Sequence, residues 1–478
     1  MKRFPALLLV LSMLLLCLLF GASADQISDL AYGELTYRFQ ADGTVIITGC
    51  TGKSGDLSIP ARISGVPVTA IAPEAFKSCN TLSRVELPDS LVEIGDYAFF
   101  YCRNLSFVNL PDSVRVVGRN PFAACEVLSE IHISKNHPCL TLQDNVLYSL
   151  EDRRLVAYFL MRPEGPGPYT VAEGTQIIGA SAFYNCRDIT GLTLPETVTS
   201  IGRKAFYDCS SLRSINLPDS ISYLGDGAFS GCSRLRSLKC PDTITEIGNS
   251  AFENCTSLEE LILPEGATHI GDRAFYNCTA LTSVQLPEGI SSIGQNTFAE
   301  CKNLLEIVLP EDVTYIGGGA FQNCYSLREI NIPEDVSYIG SNAFFFCSSL
   351  QSLEVPDTCF YIGSAAFQSC TSLEELTLPM MLNDINPMLL AGCVSLKEIE
   401  LPSRITAIGD QAFMACTGLS SVEIPEKVAF IGDRAFYACL ALEKIDLPDS
   451  LSYVAENAFE NCPLLTDLPD LSGLSVPD

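Results

Sequence analysis

The sequence predicts a repeat solenoid, in which short parallel strands of successive coils stack side by side. Three observations support this fold class. In a run from Pro195 to Pro448, every twenty-third residue is a proline. Other residues keep step, so that the unit reads L-x-x-I-x-L-P-[DE]-x-V-x-x-I-G-x-x-A-F-x-x-C-x-x. Sixteen of the 21 cysteines occupy the same slot of this unit. Self-similarity at a fixed period of about 20 to 50 residues is typical of solenoids.

Each part of the unit predicts one structural element. L-x-x-I-x-L-P indicates a short strand that ends at proline, because proline has no N–H to donate to a neighbouring strand. V-x-x-I-G indicates a second extended piece, ended by a glycine that can adopt a positive φ. A-F-x-x-C is too short for a stable helix, so it predicts one turn of 3₁₀ or α helix. A single coil cannot bury its apolar positions, and stacking of coils does so.

The unit resembles the BspA-like leucine-rich repeat family, the 23-residue class also called the Treponema pallidum type. The copy around Pro333 shows the residues that carry the resemblance: Leu327, Ile330, Ile332, Pro333, Val336, Ile339, Gly340, Ala343, Phe344 and Cys347. Known members are mostly secreted or surface proteins of bacteria, and several are implicated in adhesion to host proteins or other cells. The resemblance therefore implies a leucine-rich repeat fold and a binding role, without naming a ligand.

Residues 1–24 are predicted to be a signal peptide. Two basic residues precede an apolar run over 6–20, and Ala22-Ser23-Ala24 has the small-x-small form of a cleavage site. The alternative of a transmembrane anchor requires a longer run for a hydrocarbon core of about 30 Å. A lipoprotein site at Cys17 is disfavoured by the bulky leucine before it.

Residues 25–60 are predicted to form an N-terminal β cap, because the first coil would otherwise expose a core face and a strand edge. Segments 35–39 and 44–48 flank Asp42-Gly43, a strong signal for a β-hairpin. The leucine-rich repeat solenoid is predicted over 61–463, followed by a short C-terminal cap or tail at 464–478.

An insertion interrupts the repeat within 138–168. Segments 146–149 and 155–159 are apolar and flank a charged turn. This pattern predicts a second hairpin, which we expect to project from the solenoid as a lateral embellishment.

The composition excludes several classes of partner. The formal charge is −28 for the whole chain and −30 without the two basic residues of the signal peptide. Nucleic acids and anionic membranes attract basic surfaces, so neither is an expected partner, and no membrane insertion is expected after cleavage. Basic partners remain compatible, although an acidic surface also serves solubility alone.

No catalytic, cofactor-binding or metal-binding motif interrupts the repeat, so we predict that the protein is not an enzyme and has no cofactor. Stacked cysteines in one slot lie about one strand spacing apart, which exceeds the Cβ separation of a disulfide and predicts a ladder of thiols. The histidines His132, His137 and His269 have no metal-ligand spacing with cysteine.

Residues that recognise a specific ligand must occupy positions that vary from coil to coil. Two strand positions, four and two residues before each proline, are expected to face the concave sheet surface, and acidic residues are frequent there in the C-terminal half. A second row, five residues after the proline, is aromatic. The candidate ligand-binding residues are Glu375, Glu398, Glu400, Glu423, Asp446, Tyr315, Tyr338, Tyr361 and Tyr453. The alternatives are that the carboxylates form a solvated face and that the tyrosines pack on one another.

The predicted function is a secreted or cell-surface binding protein that holds an extracellular protein of a host or neighbouring cell through one solenoid face. The alternative is a carbohydrate-binding or cell-envelope scaffold, in which the tyrosines would stack on sugar rings.

Overall fold

The computed structural model describes residues 29–51, 55–159, 165–466 and 468, and within these ranges it consists of β-strands and turns without a helix. The predicted signal peptide and most of the predicted tail lie outside the described residues. The fold class predicted from the repeat is confirmed: the chain is a β-solenoid with parallel strands. It divides into two compact units, residues 1–165 with 176–188 (unit 1) and residues 166–175 with 189–478 (unit 2).

Unit 1 contains fifteen described strands. They are β1 (Leu30–Tyr32), β2 (Leu35–Phe39), β3 (Val45–Cys50), β4 (Asp56–Ser58), β5 (Arg62–Ile63), β6 (Val66–Ile71), β7 (Arg84–Glu86), β8 (Glu93–Ile94), β9 (Phe107–Leu110), β10 (Val116–Val117), β11 (Glu130–Ile133), β12 (Leu140–Gln143), β13 (Val146–Ser149), β14 (Arg154–Tyr158) and β16 (Ile177–Ile178).

Unit 2 contains the remaining described strands, most of them two or three residues long. They are β15 (Gly167–Thr170), β17 (Ile189–Thr193), β18 (Ser200–Ile201), β19 (Ser214–Ile215), β20 (Tyr223–Leu224), β21 (Ser237–Lys239), β22 (Glu246–Ile247), β23 (Glu260–Ile262), β24 (His269–Ile270), β25 (Ser292–Ile293), β26 (Glu306–Ile307), β27 (Tyr315–Ile316), β28 (Glu329–Ile330), β29 (Tyr338–Ile339), β30 (Ser352–Glu354), β31 (Tyr361–Ile362), β32 (Glu375–Thr377), β33 (Asp384–Ile385), β34 (Ala407–Ile408), β35 (Ser421–Glu423), β36 (Phe430–Ile431), β37 (Lys444–Asp446) and β38 (Tyr453–Val454).

The two predicted strands of the repeat form two series of parallel pairs. In unit 2 the strands before the proline pair in register, as β30 does with β32, and the V-x-x-I strands pair likewise through β25, β27, β29 and β31. Each paired residue therefore lies beside the residue in the same slot of the next coil. This register places identical slots of the repeat in columns on the surface and in the core.

The predicted N-terminal hairpin is confirmed. Strands β2 and β3 are antiparallel around the Asp42-Gly43 turn, and β3 continues the sheet into the parallel strand β6. Val45 and Ile47 are fully buried on the inner face of β3. The hairpin thus joins the apolar core of unit 1 on one side and the parallel sheet on the other.

The A-F-x-x-C segment forms isolated turns with i→i+3 hydrogen bonds rather than the helical turn that we predicted. In most coils the residue before this segment and the residue before its cysteine have positive φ, as at Asn342 (58°) and Phe346 (59°), and this conformation interrupts a right-handed helix. The N–H groups of Asn342, Phe344 and Phe346 donate to carbonyls of the next coil at 2.8–3.0 Å. The segment therefore hydrogen-bonds from coil to coil, which satisfies donors that a lone helical turn would leave unpaired.

The glycine after V-x-x-I has a different role from the one predicted. Gly340 does not have a positive φ. A Cβ built on Gly340 would lie 2.4 Å from the backbone nitrogen of Gly318 and 2.7 Å from the carbonyl carbon of Gly317. Glycine is required here because the backbones of successive coils approach too closely for any side chain.

The core consists of columns of identical side chains. Phe344 is fully buried and stacks between Phe321 and Phe367, with ring centroids 5.4 and 5.7 Å away. The cysteine column lies beside it: the Sγ of Cys347 donates to the carbonyl of Phe321 at 3.2 Å, and equivalent bonds recur along the column. No disulfide joins two cysteines in the described parts of the chain.

The predicted insertion hairpin is present, but it does not project from unit 1. Strands β13 and β14 are antiparallel, and β14 pairs in parallel with β16. Leu147, Val156 and Phe159 are 0–4% exposed and belong to the core cluster of unit 1. The prediction of a projecting hairpin was wrong because both faces of these strands are apolar and are covered.

Candidate binding surfaces

The five acidic candidates, Glu375, Glu398, Glu400, Glu423 and Asp446, form what we call the acidic column of unit 2. All five are exposed. Buried residues alternate with them, such as Leu376 after Glu375 and Ile399 between Glu398 and Glu400. This alternation is the period of two expected of strands with one face in the core.

The register of the sheet brings like charges together. Glu423 lies directly opposite Asp446 in the parallel pair of β35 and β37. Further upstream, Glu306 lies opposite Glu329 in β26 and β28. Carboxylates at such positions repel one another, and a cationic partner placed over them relieves the repulsion.

One basic residue interrupts the acidic column. The Nζ of Lys444 lies 2.6 Å from Oδ2 of Asp446, and the two side chains are 73% and 65% exposed. The hydrogen bond from Lys444 to Asp446, with a further contribution from Glu423, raises the pKa of Lys444 above its usual value. Lys444 thus stays charged and partly neutralises the C-terminal end of the column.

Three of the aromatic candidates form a continuous stack, the tyrosine column. Tyr315 and Tyr338 have ring centroids 5.0 Å apart with an interplanar angle of 11°, and Tyr338 and Tyr361 are 4.8 Å apart at 12°. Their strands pair in register. Burial, followed by the neighbouring Tyr361 and Tyr315, raises the pKa of the Tyr338 hydroxyl. Both faces of the Tyr338 ring are covered by other tyrosines.

The fourth aromatic candidate, Tyr453, lies apart from this stack. It stacks on Phe430, at 4.9 Å between centroids. The same slot holds Asp384 and Ala407 in the two coils between Tyr361 and Phe430. The row predicted from the sequence is therefore two separate aromatic groups.

Sequence reasoning missed a polar cleft in unit 2, on the turns after the V-x-x-I strands. Its volume is about 340 Å³. The cleft is lined by Gly227 and Ser230, both buried, where most other coils carry larger residues. The walls carry Arg203, Lys204, Tyr207, Asp226, Asn249, Ser250, Glu253 and Asn254. The sequence signal that could have indicated the cleft is the coil Gly227-Ala228-Phe229-Ser230-Gly231, which has small residues at the outward positions.

Charges in the cleft are balanced. Lys204 Nζ lies 5.2 Å from the centroid of the Tyr207 ring. Arg273, just outside, donates to Oε1 of Glu253 at 2.6 Å. Burial alone would raise the pKa of Glu253, but hydrogen bonds from Arg273 and Ser250 outweigh it and lower the pKa below the usual value. Glu253 is therefore an ionised acceptor beside donors from lysine, arginine and asparagine.

Within the described residues, no group of three or more histidine, cysteine, aspartate or glutamate side chains is arranged to hold a metal ion. The same ranges of chain contain no helix of the length and apolar character that a bilayer span needs.

Coils of paired short strands with columns of variable outward residues define a leucine-rich repeat solenoid. Proteins of this class generally bind other proteins and are generally not enzymes. The family description "BspA type Leucine rich repeat region (6 copies)" matches residues 58–152, 175–305, 228–351, 292–412 and 337–466. The chain belongs to this BspA type leucine-rich repeat family, which confirms the resemblance inferred from the repeat.

Several solved structures are similar to this chain. A leucine-rich repeat protein from Bacteroides ovatus is 28% identical over 89% of this chain and 96% of its own, with a TM-score of 0.50. A leucine rich cell surface protein from Faecalibacterium prausnitzii is 24% identical over 92% of this chain and 99% of its own, with a TM-score of 0.41. The T. pallidum leucine-rich repeat protein is 26% identical over 53% of this chain and 91% of its own, with a TM-score of 0.25. No curated protein sequence matches the chain significantly.

Proposed function

We propose that this chain is a secreted or surface-displayed binding protein that holds a basic region of an extracellular protein against the acidic column of unit 2. The observation that carries the proposal is the row of exposed carboxylates on alternate positions of successive coils. Glu375, Glu423 and Asp446 lie in paired strands, so the positions of their backbones are preorganised and a partner need not order them on binding.

The negative charge of the chain favours a basic partner. The formal charge of −28 repels other acidic molecules at long range and attracts basic ones. Glu398 and Glu400 have no salt bridge within 4.0 Å in the described structure. A lysine- or arginine-rich segment laid along the column would meet a carboxylate in each successive coil, about every 4.8 Å, the spacing of neighbouring strands.

The tyrosine column supports protein contact better than sugar stacking. A sugar ring stacks on an open aromatic face, but the faces of Tyr338 are occupied by Tyr315 and Tyr361. The exposed edges and hydroxyl groups remain, and tyrosines presented in this way are frequent contacts in protein interfaces. Phe360, which is 58% exposed beside Tyr361, extends the apolar part of this surface.

The test is a screen against extracellular matrix proteins, followed by association kinetics at low and high salt. The triple change Glu398→Gln, Glu400→Gln and Glu423→Gln should lower the on-rate for basic hits at low salt. The loss should shrink as the Debye length falls from about 30 Å at 0.01 M to about 8 Å at 0.15 M.

A matched control removes the same charge elsewhere in unit 2. Glu311, Glu334 and Glu426 are exposed and each follows the repeat proline, outside the acidic column. Their triple change to glutamine should leave a larger on-rate than the column variant. Equal kinetics for the two variants would show that only net charge matters and would remove the acidic column as a binding site.

A second candidate function, glycan binding, is favoured by the polar cleft. The cleft combines an aromatic side chain with balanced donors and acceptors, the chemistry that recognises sugar hydroxyl groups. On a glycan array, Tyr207→Ala should abolish any hit that uses the cleft, whereas Tyr338→Ala should retain it. Retention of all glycan hits by Tyr207→Ala would exclude the cleft.

A further inference from the structure

The cysteine column begins differently from the way it continues. In most of the following coils the thiol donates to the carbonyl of the phenylalanine 26 residues earlier, as Cys102 does to Phe76 at 2.9 Å and Cys125 to Phe99 at 3.1 Å. Cys79 is the first cysteine of the column, and the residue 26 positions before it is a lysine outside the repeat pattern. The Sγ of Cys79 lies instead 3.0 Å from the Sγ of Cys50.

Both cysteines are positioned by backbone structure. Cys50 is the last residue of β3, which is paired on one side with β2 and on the other with β6. Cys79 lies in a turn closed by its N–H to the carbonyl of Phe76 at 3.0 Å. The end of β3 also touches this turn, since a Cβ added at Gly49 would lie 3.3 Å from the carbonyl oxygen of Ala75. The thiol contact therefore joins the hairpin to the first coil.

The accessibility of this pair differs from that of the column. Cys50 and Cys79 are half-buried, whereas Cys102 and Cys125 are buried. Burial raises the pKa of the Cys102 thiol to about 12, and the contact with Cys50, followed by burial, also raises the pKa of Cys79, so the first pair differs from the column in its access to solvent and not in acidity. An oxidant can thus reach the first pair while the interior of the column stays reduced.

We propose that Cys50 and Cys79 are a disulfide-forming site that fastens the N-terminal hairpin to the first coil. The oxidant is a disulfide, such as oxidised glutathione or a disulfide oxidoreductase. One protein thiol loses its proton and attacks the oxidant, forming a mixed disulfide and releasing one oxidant thiolate. The second protein thiolate then attacks the protein sulfur of the mixed disulfide and releases the other.

The reaction balances as a two-electron exchange. The protein loses two thiol hydrogens and gains one Sγ–Sγ bond, while the oxidant loses its S–S bond and takes up two protons to become two thiols. The sulfurs must approach by about 1 Å to reach the bond length of about 2.05 Å. The link closes a loop between β3 and the first coil, which restricts the unfolded chain in that region. Its formation in cells depends on the export proposed above, but its formation in purified protein does not.

The test treats the full purified chain with oxidised glutathione, alkylates the remaining thiols after denaturation and maps linked peptides by mass spectrometry. We expect a reducible link between Cys50 and Cys79 and alkylation of the buried cysteines from Cys102 to Cys416. Hydrogen exchange in 45–50 and 68–76 should be slower in the oxidised than in the reduced protein.

Cys50→Ser should abolish both the link and the redox effect on exchange. Cys139→Ser removes another half-buried cysteine and should change neither. Absence of the Cys50–Cys79 link at saturating oxidant, or its replacement by links within the column, would overturn the proposal. If Cys50→Ser does not fold, the comparison of oxidised and reduced wild-type protein still decides it. A negative result for this disulfide does not affect the proposed binding function of the acidic column, because that function is tested separately by association kinetics.

Discussion

The change Phe344→Ala tests whether the coils are stabilised by nearest neighbours. Phe344 is fully buried, and truncation of a buried phenylalanine to alanine costs about 3–5 kcal/mol. The ring also stacks on Phe321 and Phe367, and each such pair contributes about 0.5–1.5 kcal/mol beyond burial. We therefore expect a loss in the upper part of that range. The backbone bond from the N–H of Phe344 to the carbonyl of Ala366 is kept, so the damage should stay local.

Hydrogen exchange resolved by coil is the assay. Since about 1.4 kcal/mol corresponds to a factor of ten, exchange around Phe321, Phe344 and Phe367 should accelerate by roughly a thousandfold to a few thousandfold. Coils around Phe206 and Phe436 should change little, because each coil of a solenoid contacts only its neighbours. Phe360→Ala, at a position that is 58% exposed, is the control and should have almost no effect. A uniform acceleration along unit 2 would refute the nearest-neighbour description.

Three further predictions concern single contacts, and a fourth concerns the signal peptide. Gly340→Ala should lower the free energy of thermal unfolding by about 1–3 kcal/mol, because its Cβ would overlap the backbone of Gly317 and Gly318. The control Gly266→Ala should cost much less, since its Cβ would meet only a carbonyl oxygen at 3.3 Å, and equal costs would contradict the explanation by close backbone approach. The side-chain interaction with Cys439 lowers the pKa of Cys462 to about 7, so the alkylation rate of Cys462 should rise with pH through about 7. Cys439→Ala should move that midpoint upward, and an unmoved midpoint would exclude Cys439 as the cause. Lys444→Gln should raise the on-rate of a basic partner by exposing Asp446 and Glu423, and a slower association would count against the acidic column. N-terminal sequencing of exported protein should begin at Asp25, and an intact Met1 would exclude the proposed cleavage.

Much of the fold was predictable because the repeated apolar positions are the buried positions of each coil. Apolar side chains leave water at fixed positions of every coil, so the fixed period identifies both the strands and the column in which each residue lies. Phe344 and Cys347 were assigned to the core in this way, and both are fully buried. The exposure of Glu398 and Glu400 follows from the same alternation, whereas their role as binding residues stays a prediction.

The sequence by itself determined the solenoid, the register of its coils and the hairpin at its start, because these depend on which residues are apolar and in what order. The distance between coils was decided by the tertiary structure. That distance makes Gly340 a point of backbone contact, stacks Tyr338 between two other rings and brings Cys50 to Cys79. A periodic pattern specifies which side of the chain faces inward, but contacts at 2.4 to 5.0 Å depend on how closely the packed backbones approach.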